Sequence, residues 1–255
     1  MSALLAGPMR RFERKVLLIT GGGSGLGAAT AKRFAAEGGR VAVCDIDAGA
    51  ADGVAAQLDG AVAIQCDVTD EASVQTAVES AHERLGRLDC VVTSAGHFDS
   101  GPLDEYGLAA WKTMLAVHAT GTFLVCRAAL PKLRETGGGS IVTFASVTAV
   151  IARPNVAAYA AAKGAIVAFS RQLALDAGAD NVRVNVVAPG TIRSPMSEAV
   201  YDIPGGHGTL TLPPSIVGRI GEPEEIAGTV CFLLSDDAGF ITAQVVVADG
   251  GATAI

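Results

Sequence analysis

A chain of 255 residues has room for one large or two small domains, since single α/β domains of about 250 residues are common. Half of its residues are hydrophobic and 18% are charged, which excludes whole-chain disorder, and its 31 glycines follow no three-residue period, which excludes a collagen-like fibre. A net charge of −7 with 5% aromatic residues argues against a phosphate-backbone binder or a stacking platform, so no nucleic-acid partner is expected.

Residues 1–12 read as a flexible tail. Its apolar run, Ala3–Ala6, is shorter than the about 7–15 residues of a secretory core or the about 20 of a membrane span, so no membrane partner is expected. Lys15–Thr20 then predicts a strand, and Gly25–Glu37 a helix stopped by Gly38 and Gly39. Arg40–Asp45, Ala61–Cys66 and Leu88–Thr93 read as strands, separated by helices over Ala48–Leu58 and Glu71–Leu85. Residues 108–134 predict one long helix. Ser140–Phe144, Val182–Val187 and Val245–Val247 read as strands, with helices over Val156–Ala177 and Pro223–Leu234 between them. The strands are apolar throughout rather than alternating, which implies burial on both faces and hence a parallel sheet covered by helices. Seven such units predict a single α/β domain over 13–255, a doubly wound, Rossmann-like, seven-stranded parallel sheet in a three-layer α/β/α arrangement. One segment, 194–218, breaks the rhythm with Pro195, Pro204, Gly205, Gly206, Gly208, Pro213 and Pro214. It follows a strand end, where ligands of open α/β sheets sit, and reads as a substrate lid, with a passive surface insertion as the alternative.

Cys44, Cys66, Cys90, Cys126 and Cys231 are far apart and form no C-x-x-C, so they read as reduced, buried thiols of a cytoplasmic protein. No Cys, His and carboxylate spacing suits a metal, and none is expected.

The chemistry begins after the first strand. Thr20-Gly21-Gly22-Gly23-Ser24-Gly25-Leu26-Gly27 places a glycine-rich turn between a strand and a helix. Glycines let the backbone approach a pyrophosphate, and the helix start offers unpaired N–H groups and partial positive charge. Asp45 ends the second strand, where a carboxylate can accept from both adenosine ribose hydroxyls and repel a 2′-phosphate. Arg40 lies about 15 Å away along the strand, too far to hold such a phosphate. NAD is therefore favoured over NADP. Tyr159 and Lys163 stand one helical turn apart on a shared face, separated by three alanines. A phenol ordinarily titrates near 10, and bringing it close to neutrality takes roughly 4 kcal/mol, about what one cation at 4 Å supplies at an effective dielectric near 20. Lys163, helped by an oxidised nicotinamide, is thus expected to make Tyr159 a proton-transfer group. Ser146, thirteen residues earlier just past a strand, can orient a substrate oxygen.

These motifs together resemble the short-chain dehydrogenase/reductase family over roughly residues 13–253. Thr20–Gly27 matches the TGxxxGxG turn, and Ser146, Tyr159 and Lys163 match the family's catalytic residues in type and spacing. The resemblance implies cofactor contacts from Gly21, Ser24, Gly25, Leu26 and Gly27, and from Asp45 and Ile46. It extends them to Asp67 and Val68 on the adenine side, Ser94-Ala95-Gly96 after the fourth strand, and Pro189, Gly190 and Ile192 facing the nicotinamide, with Thr191 bonding the carboxamide. It implies a sheet order 3-2-1-4-5-6-7, a tetramer or dimer, Lys163 holding the nicotinamide ribose, and Tyr159 moving the hydroxyl proton. Asp249-Gly250-Gly251 matches the C-terminal motif. His118 stands where the family carries the asparagine of its catalytic tetrad. It adds a ring that ordinarily titrates near 6.5, leaving the proton relay intact, slowed or shifted in pH. Thr93 and Ser94 replace two further asparagines, which questions bonds that brace the sheet.

His97, Phe98, Val147, Val150, Asn155, Met196 and Tyr201 are candidate substrate contacts. They suggest a neutral, moderately hydrophobic secondary alcohol or ketone, although Arg153 and Arg193 flank the site and leave a single carboxylate open. The expected activity is an NAD-dependent oxidoreductase. The alternative is an NAD(H)-binding sensor or scaffold with weak catalysis, motivated by His118. The apolar helices over 108–134 and 156–177 suggest a homo-oligomer, dimer or tetramer.

Overall fold

A computed structural model describes residues 10–201, 208 and 213–255. The apolar runs form seven strands: β1 Val16–Thr20, β2 Arg40–Asp45, β3 Val62–Gln65, β4 Cys90–Thr93, β5 Gly139–Phe144, β6 Val182–Pro189 and β7 Val245–Ala248. All pair in parallel, in the order β3-β2-β1-β4-β5-β6-β7. Eight α-helices are described: α1 Gly25–Ala36, α2 Ala48–Ala55, α3 Glu71–Leu85, α4 Leu108–Leu115, α5 Gly121–Glu135, α6 Ala157–Ala177, α7 Pro195–Val200 and α8 Pro223–Leu234.

The period of two explains the continuous hydrophobicity. Val16 and Leu18 point into a core shared with α3, α5 and α6, while Leu17 and Ile19 point into the opposite core, shared with α1, α2 and α8. Each of these four strand residues is at most 1% exposed, so a polar side chain at any of the four would be buried in an apolar core. The five cysteines are buried free thiols distributed through these cores.

Three expectations change. The helix over 108–134 is interrupted: α4 and α5 are separated by a π turn, Ala116–Thr120. A π turn carries one more residue than an α turn, a change invisible to hydrophobic periodicity, and His118 sits at its centre, 1% exposed. The composite run Leu108–Glu135 has the length and hydropathy of a membrane span, but Leu124, Val125, Ala129 and Leu133 are packed in the core of the fold. Secondly, the tail is shorter than residues 1–12. Phe12 is buried and stacks on Phe34 at 4.0 Å, and Arg11 forms a bidentate pair with Glu37; residues 1–9 lie outside the described residues. Thirdly, the segment 194–218 contains an element. Ser194 and Ser197 form a reciprocal capping box that starts α7, a helix too short to show periodicity. The segment's ends are tied together by a bridge between Ile192 and Gly221, with Arg193 N–H donating to the Gly221 carbonyl at 2.9 Å. The remaining lid positions, 202–207 and 209–212, lie outside the described residues.

Candidate active site

β1 delivers the glycine-rich turn to the carboxyl edge of the sheet. Gly21 has φ +64°, and a Cβ there would lie 2.6 Å from the Ala95 nitrogen. A Cβ on Gly27 would lie 2.0 Å from the Gly21 carbonyl oxygen, so turn and helix meet only because both residues lack side chains. Ser24 caps α1 in extended conformation without a side-chain bond, and the first turn, which includes Leu26, carries no acid. The positive end of α1 is therefore not offset by an acid of its own first turn. Asp45 supports the turn: Gly23 N–H donates to its Oδ2 at 2.9 Å, and Asp47 N–H donates to its Oδ1 at 3.1 Å. Ile46 beside it is 64% exposed, presenting an apolar surface at the strand end. Arg40 donates to the Leu85 carbonyl at 2.8 Å, at the far end of β2.

The other residues singled out for nucleotide binding are distributed along the same edge. Thr69 donates from its N–H and hydroxyl to Asp67 Oδ1 at 2.8 and 2.7 Å, an Asx turn that fixes this loop. Val68 is 7% exposed and packs against Gly121, where a Cβ would approach it to 2.9 Å. After β4 the backbone braces the sheet, Ser94 N–H donating to Thr20 carbonyl at 3.1 Å; of the side chains, Thr122 hydroxyl donates to Thr93 hydroxyl at 3.5 Å, and Thr20 Oγ1 is buried without a partner. Pro189 ends β6, and Gly190 N–H donates to Ala248 carbonyl at 3.0 Å. Gly190 packs on Asp249 so closely that a Cβ would lie 2.8 Å from the Asp249 Cα.

Ser146, Tyr159, Lys163 and His118 line one cavity of about 160 Å³, together with Gly190 and Ile192. Ser146 caps a short 3₁₀ turn after β5, its Oγ accepting from Thr148 N–H at 3.2 Å. Tyr159 lies in the first turn of α6, its ring edge-on to Phe98 at 5.2 Å and to His118 at 5.5 Å. Lys163 is 5% exposed; its ammonium donates to the Phe144 carbonyl at 2.9 Å and lies 5.5 Å from the Tyr159 ring centre.

The electrostatics correct two expectations. Burial pushes the Tyr159 phenol up to about 12, and the hydrogen bond from Ser146, which works the other way, does not overcome it. Lys163 does not bring the phenol toward neutrality in the protein alone, because burial pushes its own amine down to about 7 and its proton is directed at Phe144. His118 is not a ring titrating near 6.5: burial first, and the Lys163 charge second, push it down to about 3. The neutral ring is oriented by its Nε2–H, which donates to the His97 carbonyl at 2.8 Å, while Nδ1 is buried without a partner. Gly96 makes room for it, since a Cβ there would meet the ring at 2.5 Å.

Of the expected substrate contacts, Phe98, Val147, Met196 and Tyr201 line the cavity. His97, Val150 and Asn155 do not. Val150 is 56% exposed, and Asn155 sits at φ +61° as a turn residue whose carbonyl accepts from Gly101 N–H at 2.8 Å. Thr148, which the sequence does not single out, also lines it, as do Ser194 and Ser197 from the segment read as a lid. The capping-box spacing Ser194-x-x-Ser197 was the signal that could have placed the latter pair. Arg193 is held by Glu222, with 3.3 Å between nitrogen and oxygen.

The family model described as Enoyl-(Acyl carrier protein) reductase matches residues 21–253. The 2-(S)-hydroxypropyl-CoM dehydrogenase 3 of Xanthobacter autotrophicus is 43% identical, with 96% of this chain and 99% of that protein covered. A solved structure of a protein named ribose-5-phosphate isomerase, from Brucella melitensis, superposes with a TM-score of 0.90 at 32% identity over 96% of this chain and 94% of that one. The structure of levodione reductase superposes with a TM-score of 0.85 at 33% identity over 96% and 99%. Matched along nearly its whole length by sequence and by fold, the chain belongs to the short-chain dehydrogenase/reductase family.

Proposed function

We propose that the protein is an NAD-dependent oxidoreductase that interconverts a secondary alcohol and its ketone. The observation that carries this reading is the convergence of Ser146, Tyr159 and Lys163 on one cavity at the end of the sheet that bears the glycine-rich turn. The relatives named for alcohol and ketone substrates support the same reaction class. A nicotinamide supplies the hydride acceptor or donor when bound.

The chain's own groups provide the rest. Gly21–Gly27 and the start of α1 hold the pyrophosphate, and Asp45 holds the adenosine ribose. Ile46, Asp67, Val68 and Ser94–Gly96 border the adenine side, while Pro189, Gly190 and Ile192 border the nicotinamide. Lys163 binds the nicotinamide ribose, and Ser146 orients the substrate oxygen. Tyr159 gives its proton to the ketone oxygen or takes one from the alcohol; the protonated phenol that burial favours is the form required for ketone reduction. His118 is a positioning residue whose neutral ring fixes the His97–Gly96 backbone and one wall of the cavity.

The test is turnover of a panel of secondary alcohols with NAD and with NADP, read as reduced nicotinamide. NAD should be preferred by at least about 10²-fold in kcat/KM, the size of roughly 3 kcal/mol of charge repulsion and lost ribose bonding. Asp45→Ser should collapse that preference to within about tenfold. Nucleotide binding without turnover of any alcohol would return the chain to the sensor or scaffold reading.

The buried thiols fit a reducing compartment such as the cytoplasm. Leu108, Phe123 and Leu175 are 67%, 41% and 76% exposed on α4, α5 and α6, an apolar surface that fits a homodimer or homotetramer. Light scattering should give two or four times the chain mass at micromolar concentration, and the monomer mass would reject assembly.

A further inference from the structure

A second cavity, of about 500 Å³, adjoins the catalytic one. The two share Gly190, Thr191, Ile192 and one charged side chain, Arg153. Arg153 lies between Ser146 and Tyr159 in sequence, on the loop that joins the 3₁₀ turn after β5 to α6. It is partly buried, and among the described residues no carboxylate pairs with it. The other charged groups on these walls are already engaged. Glu225 is held bidentately by Arg219, with contacts of 2.7 and 2.8 Å, and also accepts from Glu222 N–H. Asp249 accepts from the N–H groups of Gly251 and Thr253, each at 2.8 Å. Lys163 donates to Phe144. Two residues of the catalytic cavity carry a polar atom buried without a partner, Thr148 Oγ1 and His118 Nδ1.

A guanidinium carries its charge at every physiological pH and suits a planar or tetrahedral oxyanion. A partly buried guanidinium without a carboxylate, set where two cavities meet, is a site short of an anion. We infer that Arg153 binds a carboxylate or sulfonate on the substrate, remote from the reacting carbinol. The substrate class is then a hydroxy acid or keto acid (or the sulfonate equivalent) whose neutral, reacting end occupies the apolar cavity at Tyr159. This rests on the oxidoreductase reading above and narrows its substrate class.

The experiment measures kcat/KM for 4-hydroxypentanoate and 5-hydroxyhexanoate, for sulfonates of the same lengths, and for the methyl esters of the two acids, in the wild type, Arg153→Ala and Arg153→Lys. At least one acid or sulfonate should exceed its neutral partner by tenfold or more in the wild type. Arg153→Ala should lower kcat/KM for that anion at least tenfold, mainly through KM, and leave the ester and the KM for NAD within twofold. Arg153→Lys should recover part of the loss. Esters turned over as well as the anions by the wild type, or anion and ester lowered equally by Arg153→Ala, would overturn the inference while leaving the redox reading intact. If none is turned over, the redox reading fails, and the rise in Tm given by the hydroxy acids with NAD decides this inference separately. It stands if the rise is lost in Arg153→Ala and falls if the rise is equal in both proteins or absent from the wild type.

Discussion

Tyr159→Phe should lower kcat for alcohol oxidation and for ketone reduction by about 10³-fold while leaving the Kd for NAD within about twofold. The substitution removes one oxygen and keeps the ring that packs against Phe98 and His118, so the fold and the cavity wall survive. What disappears is the proton carrier. General acid–base groups contribute typically 10²–10⁴-fold, and the remaining cavity groups are poor substitutes. The Ser146 Oγ accepts from Thr148 N–H, the Lys163 ammonium is directed at Phe144, and the His118 ring is neutral and turned toward His97. Steady-state kinetics alongside titration of NAD binding separate the two effects. Activity within tenfold of the wild type would show that another group moves the proton and would remove Tyr159 from its assigned role. A parallel loss of NAD affinity would instead mean that the phenol serves binding.

The elements that were legible in the sequence are those whose signal is local. β1 reads as buried on both faces because Val16–Thr20 contains no polar interruption before Thr20, and a strand of that kind has one architectural home. The glycine-rich turn is readable because close approach leaves room only for glycine, as the 2.0 Å clearance at Gly27 demonstrates. The i and i+4 spacing placed Tyr159 and Lys163 on one face of α6 before any contact was known. What escaped depends on the third dimension. The π turn at Ala116–Thr120 leaves the apolar pattern of the helix almost unchanged, and only packing shows that His118 points inward. The titration of Tyr159 and Lys163 in the protein alone depends on the same packing. A cation one turn away argues for a lowered phenol, but both groups are withdrawn from water, and the desolvation that pushes the phenol up and the amine down outweighs their proximity. Arg153 reads in sequence only as one of two arginines flanking the site; that it stands where two cavities meet, with Glu225 and Asp249 partnered elsewhere, is seen only in the packing.

His118→Asn should make the protein markedly more resistant to acid. In the native state the ring is pushed down to about 3, whereas in the unfolded chain it titrates at its ordinary 6.5. Between those values the unfolded chain binds more protons than the native one, so stability rises with pH across that window. The contribution is complete above 6.5 and is lost as pH falls toward 3. At 1.36 kcal/mol per pH unit it amounts to at most about 5 kcal/mol, a large share of the roughly 5–15 kcal/mol that stabilises a typical domain. Asparagine cannot titrate, and the loss of the Nε2–His97 bond lowers the variant's stability alike at both pH values. Other acid-sensitive groups, such as Glu37 lowered by its pairing with Arg11 and Arg33, are present in both proteins and cancel in the comparison. Urea unfolding at pH 7 and pH 4 should therefore show the wild type losing at least about 2 kcal/mol more than the variant over that interval. Parallel pH–stability curves would mean that the buried ring gains a partner on protonation, which its unpaired Nδ1 against Gly96 gives no means of providing.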